Sequence, residues 1–325
     1  TAYDIAMGTQ LAIRIARREG IAIVHARSYV PALIALSVQR VCNVKFLFDM
    51  RGFWADERVD GGLWPADGSL YRVTKALERR FLLAADHVVT LTHASAEALK
   101  TFPYLRARCP AITVIPTCAD LARFSPAQSE SPQPNFTLGY LGSAGTWYLF
   151  DEVLTFFHAL LEHRPDARML IVNRNEHQYL ESALQGAGIP PSVYEIVAAE
   201  HRDVPQLVRR MTVGAAIIKP SYSKIASAPT KLAEYLGCGV PCIGNTKVGD
   251  MEAILEGERV GAALTDFSAA DHASAARRLL QLHTDPSLRA RCIATAERLF
   301  SLEVGVAAYR QIYATLAHPT SQGAS

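Results

Sequence analysis

The sequence predicts an α/β protein made of two tandem doubly wound domains. Three observations carry this expectation. Short runs rich in Val, Ile and Leu alternate with amphipathic helical stretches along the chain, the pattern of parallel sheets built from βαβ units. One stretch dense in Pro, Ser and Gln, FSPAQSESPQPNF, interrupts the alternation, which then restarts. At 325 residues the chain also exceeds a usual single domain.

Taken in order, residues 5–18 read as a helix that Gly20 ends. IAIVHA follows as a short buried strand, YVPALIALSVQR as a helix and VKFLFDM as the next strand. LYRVTKALERRFLLAA is an amphipathic helix, HVVTLT a strand, HASAEALKTF a helix and ITVIPT a strand. After the linker, FTLGYLG is a strand ending in glycine and YLFDEVLTFFHALLEH a helix. RMLIVN and YEIVAA are strands, DVPQLVRRM a short helix, VGAAIIKPS a strand, APTKLAEYLG a helix and PCIGN a strand. Three helices close the chain: SAADHASAARRLLQLH, PSLRARCIATAERLF and LEVGVAAYRQIYATLA. The expected layout is a first domain over 1–126, a linker over 127–135, a second domain over 136–300, and a C-terminal helix and tail over 301–325 that packs back on the first domain. The natural ligand site is a cleft between the domains. The chain starts at Thr1, already in a helix, with its first Met at Met7, so a first strand is expected to precede it.

Composition narrows the function. A net charge of +2, with 33 basic against 31 acidic residues, argues against a nucleic-acid binder. The first part of the chain is mildly basic: over residues 1–130, 16 basic residues face 12 acidic ones. Six cysteines form no C-x-x-C pair, so they read as reduced and a cytoplasmic setting is expected. No apolar run approaches the ~20 residues of a membrane span. No His/Asp cluster has metal-ligand spacing, and no metal or other cofactor is expected.

The chemistry concentrates in SKIASAPTKLAEYLGCGVPCI. Pro229 suits a helix start. At helical spacing Leu232, Tyr235 and Leu236 share one face, and Thr230, Lys231 and Glu234 the other. Free N–H groups, a hydroxyl and an ammonium at a helix mouth suit a phosphate, and a carboxylate one turn deeper suits sugar hydroxyls. An exposed Lys231–Glu234 ion pair on an ordinary helix is the alternative. Upstream, Lys219 and Ser221 stand at a strand's C-terminal end and Lys224 in the following loop, where open α/β sheets bind ligands. The turn Gly142–Ser143–Ala144–Gly145–Thr146 lets backbone approach a phosphate, with the hydroxyls of Ser143 and Thr146 beside it.

The segment SAPTKLAEYLGCGVPCIGN resembles the donor-site segment of glycosyltransferase family four, enzymes with two facing Rossmann-like domains, the type-B glycosyltransferase fold. VIPTCADLARFSP resembles that family's strand before the interdomain linker. GYLGSAGTWYLFDEVLTFF resembles the first strand and glycine turn of its second domain, and VGDMEAILEGERVGAAL the loop and strand after its donor helix. The resemblance implies transfer of a sugar from a nucleotide diphosphate sugar, with retention of configuration and without a metal. Two departures stand out: Ala226 replaces the first of the family's two acids, the second matching Glu234, and the turn after Gly142 lacks the family's basic pair. Lys219 and Lys224 are therefore expected to neutralise the diphosphate, with alanine at either weakening donor binding.

In the first domain, FLFDMRGFWADE ends a buried strand with Asp49 and places Arg51 and Trp54 just beyond it. The run resembles an Asp-x-Arg-Gly-x-Trp segment of family members that build bacterial surface polysaccharides. That resemblance implies that Asp49 and Arg51 lie near the reacting centre, Lys224 completing the expected catalytic set. The alternative is an Asp49–Arg51 pair that pins the loop. His25, Arg27 and Trp54 are expected on the acceptor side, the acceptor being a sugar, a polysaccharide or a lipid-linked sugar. On the helix over 70–81, Arg72, Lys75 and Arg79 make a basic face that would touch an anionic membrane at its inner face; a solvated face is the alternative. Two rival functions keep the same architecture: a non-hydrolysing nucleotide-sugar epimerase, and a catalytically silent nucleotide-sugar-binding protein.

Overall fold

The computed structural model describes residues 2–126 and 135–317. Residues 127–134 of the expected linker and residues 318–325 of the expected tail lie outside the described residues. The chain separates into two compact units. The first holds the described residues of Thr1–Pro116, Ser221–Ser227 and Glu303–Ser325, and the second Thr117–Pro220 and Ala228–Leu302.

In the first unit the order is α1 (Ala2–Arg18), β1 (Ile23–Arg27), α2 (Tyr29–Cys42), β2 (Lys45–Asp49), α3 (Trp54–Asp60), α4 (Ser69–Ala84), β3 (His87–Thr90), α5 (His93–Lys100) and β4 (Ala111–Val114). The four strands are parallel and run β1-β2-β3-β4. Side chains alternate across the sheet. Phe46, Phe48 and Val88 pack with α2 and α4, whereas Leu47, Val89 and Ile115 face the other way. That second face is closed by the C-terminal helix α13 (Leu302–Ala317) through Ile312 and Leu316.

The second unit contains β5 (Thr137–Leu141), α6 (Phe150–Leu161), β6 (Arg168–Val172), α7 (His177–Gly186), β7 (Tyr194–Val197), α8 (Val204–Val208), β8 (Val213–Ala215), α9 (Thr230–Gly237), β9 (Cys242–Asn245), α10 (Met251–Gly257), β10 (Gly261–Leu264), α11 (Ala269–His283) and α12 (Leu288–Phe300), after which α13 returns to the first unit. All six strands are parallel in the order β10-β9-β8-β5-β6-β7. From β5 the chain builds outward through β6 and β7, then returns to β5's other side with β8. The strand order thus reverses between β5 and β8, and in open parallel sheets ligands bind beyond the strand C-termini at such a reversal. One apolar layer joins the sheet to α9 and α12, and the other to α6 and α11. Tyr235 lies flat on the sheet only because Gly214 has no side chain: a Cβ there would sit 2.5 Å from the ring.

This division corrects the expected one at two places. Residues 117–126 fold with the second unit, where Phe124 sits in the core with Tyr235 and Leu236. Residues 221–227 fold with the first, because that unit satisfies them. Thr92 Oγ1 donates to Ile225 O at 2.6 Å, Ser223 N donates to Asp60 Oδ2 at 2.9 Å, and Ala226 joins the core of Phe48 and Phe53. Sequence position alone would not assign either segment.

Candidate functional site

The second unit gathers its polar groups at the strand C-termini around the β5/β8 reversal. After β5 the chain turns sharply, with Gly142 at φ 103° and Thr146 at φ 56°, both in the left-handed region. The turn is pinned to the strand beyond β8: Lys219 N donates to Trp147 O at 2.8 Å and Leu149 N to Ile217 O at 3.1 Å. Ser143 and Thr146 are exposed on it, and so is Lys219 beside it.

Helix α9 runs beneath this turn. Thr230, its first residue, is exposed, and Lys231 through Gly237 are all buried, so Lys231 and Glu234 lie inside the unit. The Lys231 ammonium sits 3.6 Å from the ring centre of Tyr148 and 5.2 Å from that of Tyr140. A Cβ on Gly142 would lie 3.5 Å from Lys231 Nζ, so bare backbone is all that the turn places over the charge. Among the described residues Nζ has no hydrogen-bond partner. Burial pushes the Lys231 pKa down to about 7, against a weaker pull from Cys242 and Glu234. The exposed ion pair of the alternative reading is therefore absent. Glu234 is also buried, which raises its pKa, and its Oε1 lies 4.0 Å from His201 Nε2.

The loop after β6 completes this end of the sheet, and the sequence carried no recognised signal for it. Asn173 is buried at the end of β6 and donates from Nδ2 to Gly142 O at 3.0 Å and to Glu176 Oε2 at 2.7 Å. Ala144 N donates to the same Glu176 oxygen at 3.0 Å. Asn173 Oδ1 in turn accepts from Asn175 N and Glu176 N. A cavity of about 550 Å³ opens beside this loop, between Arg174 and Asn175 on one side and Val197, Glu200 and Gln206 on the other. Its volume falls in the range of small-ligand sites.

Other expected residues are placed differently. Ser221 and Lys224 belong to the first unit, where Lys224 Nζ meets Glu57 Oε1 at 2.8 Å. Its charge is met there by a protein carboxylate, and the ammonium under the turn is that of Lys231. Asp49 is buried, and the pairing with Arg51 does not form. Arg51 is exposed in the left-handed region at φ 61°, and Asp49 Oδ2 accepts from Tyr309 at 2.9 Å, with Arg27 Nε at 3.4 Å and His25 Nε2 at 3.9 Å. His25 Nδ1 lies 2.8 Å from the Tyr313 hydroxyl. Both tyrosines come from α13, about 260 residues along the chain from Asp49. Asp49 Oδ1 is buried without a hydrogen-bond partner among the described residues. Trp54 packs against Tyr29 and Trp64, with the Arg58 guanidinium over its ring.

The basic face of α4 is also altered. Lys75 turns inward to Asp56 at 2.9 Å and to the fully buried Glu78, which also accepts from Tyr29. Arg72, Arg79 and Arg80 stay exposed beside Leu70 and Val73. No helix among the described residues is long and apolar enough to cross a membrane.

Comparison with known proteins covers both units. The family described as glycosyl transferases group 1 matches residues 122–299, and glycosyltransferase family 4 matches residues 4–123. No curated protein matches the chain. Among solved structures, a glycosyltransferase from Rickettsia africae superposes with a TM-score of 0.73 at 16% identity, covering 98% of this chain and 82% of its own. Sucrose-phosphate synthase from Thermosynechococcus elongatus gives 0.70 at 16% identity, covering 95% and 77%. HepE from Anabaena, in complex with UDP and glucose, gives 0.65 at 18% identity, covering 96% and 80%.

Proposed function

The chain belongs to the glycosyl transferases group 1 family, and from that premise we propose that its second unit binds a nucleoside diphosphate sugar whose sugar it transfers to an acceptor. The observation that carries this reading is the Lys231 ammonium, buried under Gly142 with no hydrogen-bond partner among the described residues. An anion seated on the turn supplies a counter-charge. The diphosphate is such an anion, and it gains charge as the glycosyl bond breaks, so a cation fixed beneath it favours the leaving group. Lys219 and the hydroxyls of Ser143, Thr146 and Thr230 are the exposed donors that would share it. The 550 Å³ cavity suits the nucleoside, and Glu234 a pair of ribose hydroxyls. HepE, a structural relative, has been solved with UDP-glucose, which supports a donor of this class.

The rest of the reading follows from the resemblance. Retention of anomeric configuration is proposed, with the lysine rather than a metal ion balancing the leaving charge. The acceptor is a sugar, polysaccharide or lipid-linked sugar of surface polysaccharide or glycolipid assembly, and α4 touches anionic lipid through Arg72, Arg79, Leu70 and Val73. Asp49 and Arg51 are proposed to lie near the reacting centre, acting without contact to each other, with His25, Arg27 and Trp54 on the acceptor side. The test is calorimetric titration with UDP, GDP and ADP, followed by turnover of the matching sugar donors with and without acceptor sugars. Binding together with acceptor-dependent release of the nucleotide is expected. No binding of any nucleoside diphosphate overturns the reading; epimerised donor, or tight binding without turnover, replaces it with one of its rivals. Co-sedimentation with anionic vesicles tests the lipid contact.

A further inference from the structure

We propose that Glu176 is a positioning residue for the leaving diphosphate, acting through the glycine turn. This rests on the reading that the turn receives the diphosphate. The turn must hold Gly142 directly over Lys231 while two of its residues keep left-handed backbone, a conformation that ordinary side chains avoid. Within the segment, Ser143 O accepts from the Tyr140 hydroxyl at 2.6 Å and Gly145 O accepts from Trp147 N and Tyr148 N. The bracing comes from outside. Glu176 Oε2 accepts from Ala144 N at 3.0 Å and from Asn173 Nδ2 at 2.7 Å, while the same Asn173 amide donates to Gly142 O. Both ends of the bend at 142–144 are thus tied to one loop. Glu176 Oε1 stands 3.6 Å from where a Cβ on Gly145 would be, so the carboxylate lies along the turn.

Asn173 is itself fixed, since its Oδ1 takes two backbone N–H groups and its backbone oxygen lies 2.7 Å from His177 Nε2. The neighbouring Arg174 and Asn175 line the cavity. One four-residue loop therefore braces the phosphate turn and walls the nucleoside cavity, and it sets the distance between the two. A carboxylate beside a diphosphate is electrostatically unfavourable. Its presence here is accounted for by geometry: a single oxygen accepting two N–H bonds at the end of a side chain of this length.

That distinction gives the test. Glu176→Gln places an amide oxygen on the same two donors and removes the charge. Glu176→Asp keeps the charge and shortens the reach by one methylene. UDP and uridine are titrated into both variants and the parent chain, and the melting temperature of each is recorded. For Glu176→Asp, UDP affinity falls about tenfold, the equivalent of one or two weakened hydrogen bonds, and uridine affinity stays within twofold. Glu176→Gln keeps the parent's UDP affinity or exceeds it. The opposite order, Glu176→Gln weak and Glu176→Asp unchanged, shows that the charge acts directly and overturns the proposal. So do equal affinities in all three proteins. A parent chain that binds no UDP defeats the donor-site reading instead.

Discussion

Replacing Lys231 by Met should make the protein more stable while removing its hold on a nucleoside diphosphate. Burial takes the Lys231 pKa from ~10.4 in an unfolded chain to about 7. That difference corresponds to roughly 5 kcal/mol between the two protonation states. The unfolded chain keeps the proton up to ~pH 10, whereas the folded one releases it near 7. Between those values the unfolded state binds one proton more, so stability rises with pH, by about 1.4 kcal/mol per unit for this one group. Below pH 7 both states hold the proton and the full cost of the buried ammonium is felt. Lys231→Met removes that cost and keeps most of the side-chain volume against Tyr140 and Tyr148, so at pH 7 the variant should gain about 2–4 kcal/mol. The assay is urea unfolding of parent and variant at pH 7, 8 and 9, with UDP titration at pH 7. The gap should narrow as pH rises, and UDP affinity should fall by about a hundredfold, the loss of a buried charge-assisted contact. A variant less stable than the parent, with the same pH slope and unchanged UDP affinity, would refute the argument.

Other outcomes follow from the same geometry. An anion over the turn stabilises the Lys231 ammonium, so UDP binding should take up a proton near pH 8, seen as a dependence of calorimetric heat on buffer, and affinity should drop by up to about tenfold per pH unit above 7. Gly142→Ala forces a side chain into φ 103° above the lysine; it should cost about 1–2 kcal/mol in denaturant titration and weaken UDP binding. Lys224→Ala breaks a pair within the first unit and should leave UDP affinity within twofold, a result that separates it from Lys231. Tyr309→Phe deprives the buried Asp49 of a donor and should cost about 1–3 kcal/mol, measured by chemical unfolding.

The α/β class and most element positions were legible because hydrophobic period is local information. The strand FTLGYLG and the helix of Leu232, Tyr235 and Leu236 form as their patterns required, since each buries the same side chains whichever neighbours arrive. Three helices, α3, α7 and α10, were not read from the sequence; α3 spans only seven residues and four of them, Asp56, Glu57, Arg58 and Asp60, are charged, which leaves it no apolar period. The glycine turn and the acid and base of α9 were recognisable from residue type. Their burial was not, because it depends on Tyr140 and Tyr148, which come from a strand and a turn about 90 residues earlier.

Sequence by itself determined which residues could serve a charged ligand: a glycine turn, lysines after a strand, and a carboxylate one helical turn from an ammonium. Only the tertiary structure decided between them. Lys224 and Lys231 are seven positions apart and chemically alike, yet one meets Glu57 while the other is closed under bare glycine backbone with no hydrogen-bond partner among the described residues. Asp49, which the alternative reading paired with Arg51 two residues on, pairs instead with side chains from β1 and α13. Glu176 and Asn173 gave no sign at all. The reason is common to these cases: an ion's state is set by the groups within a few ångströms, and in a parallel α/β fold crossovers bring those groups from distant parts of the chain.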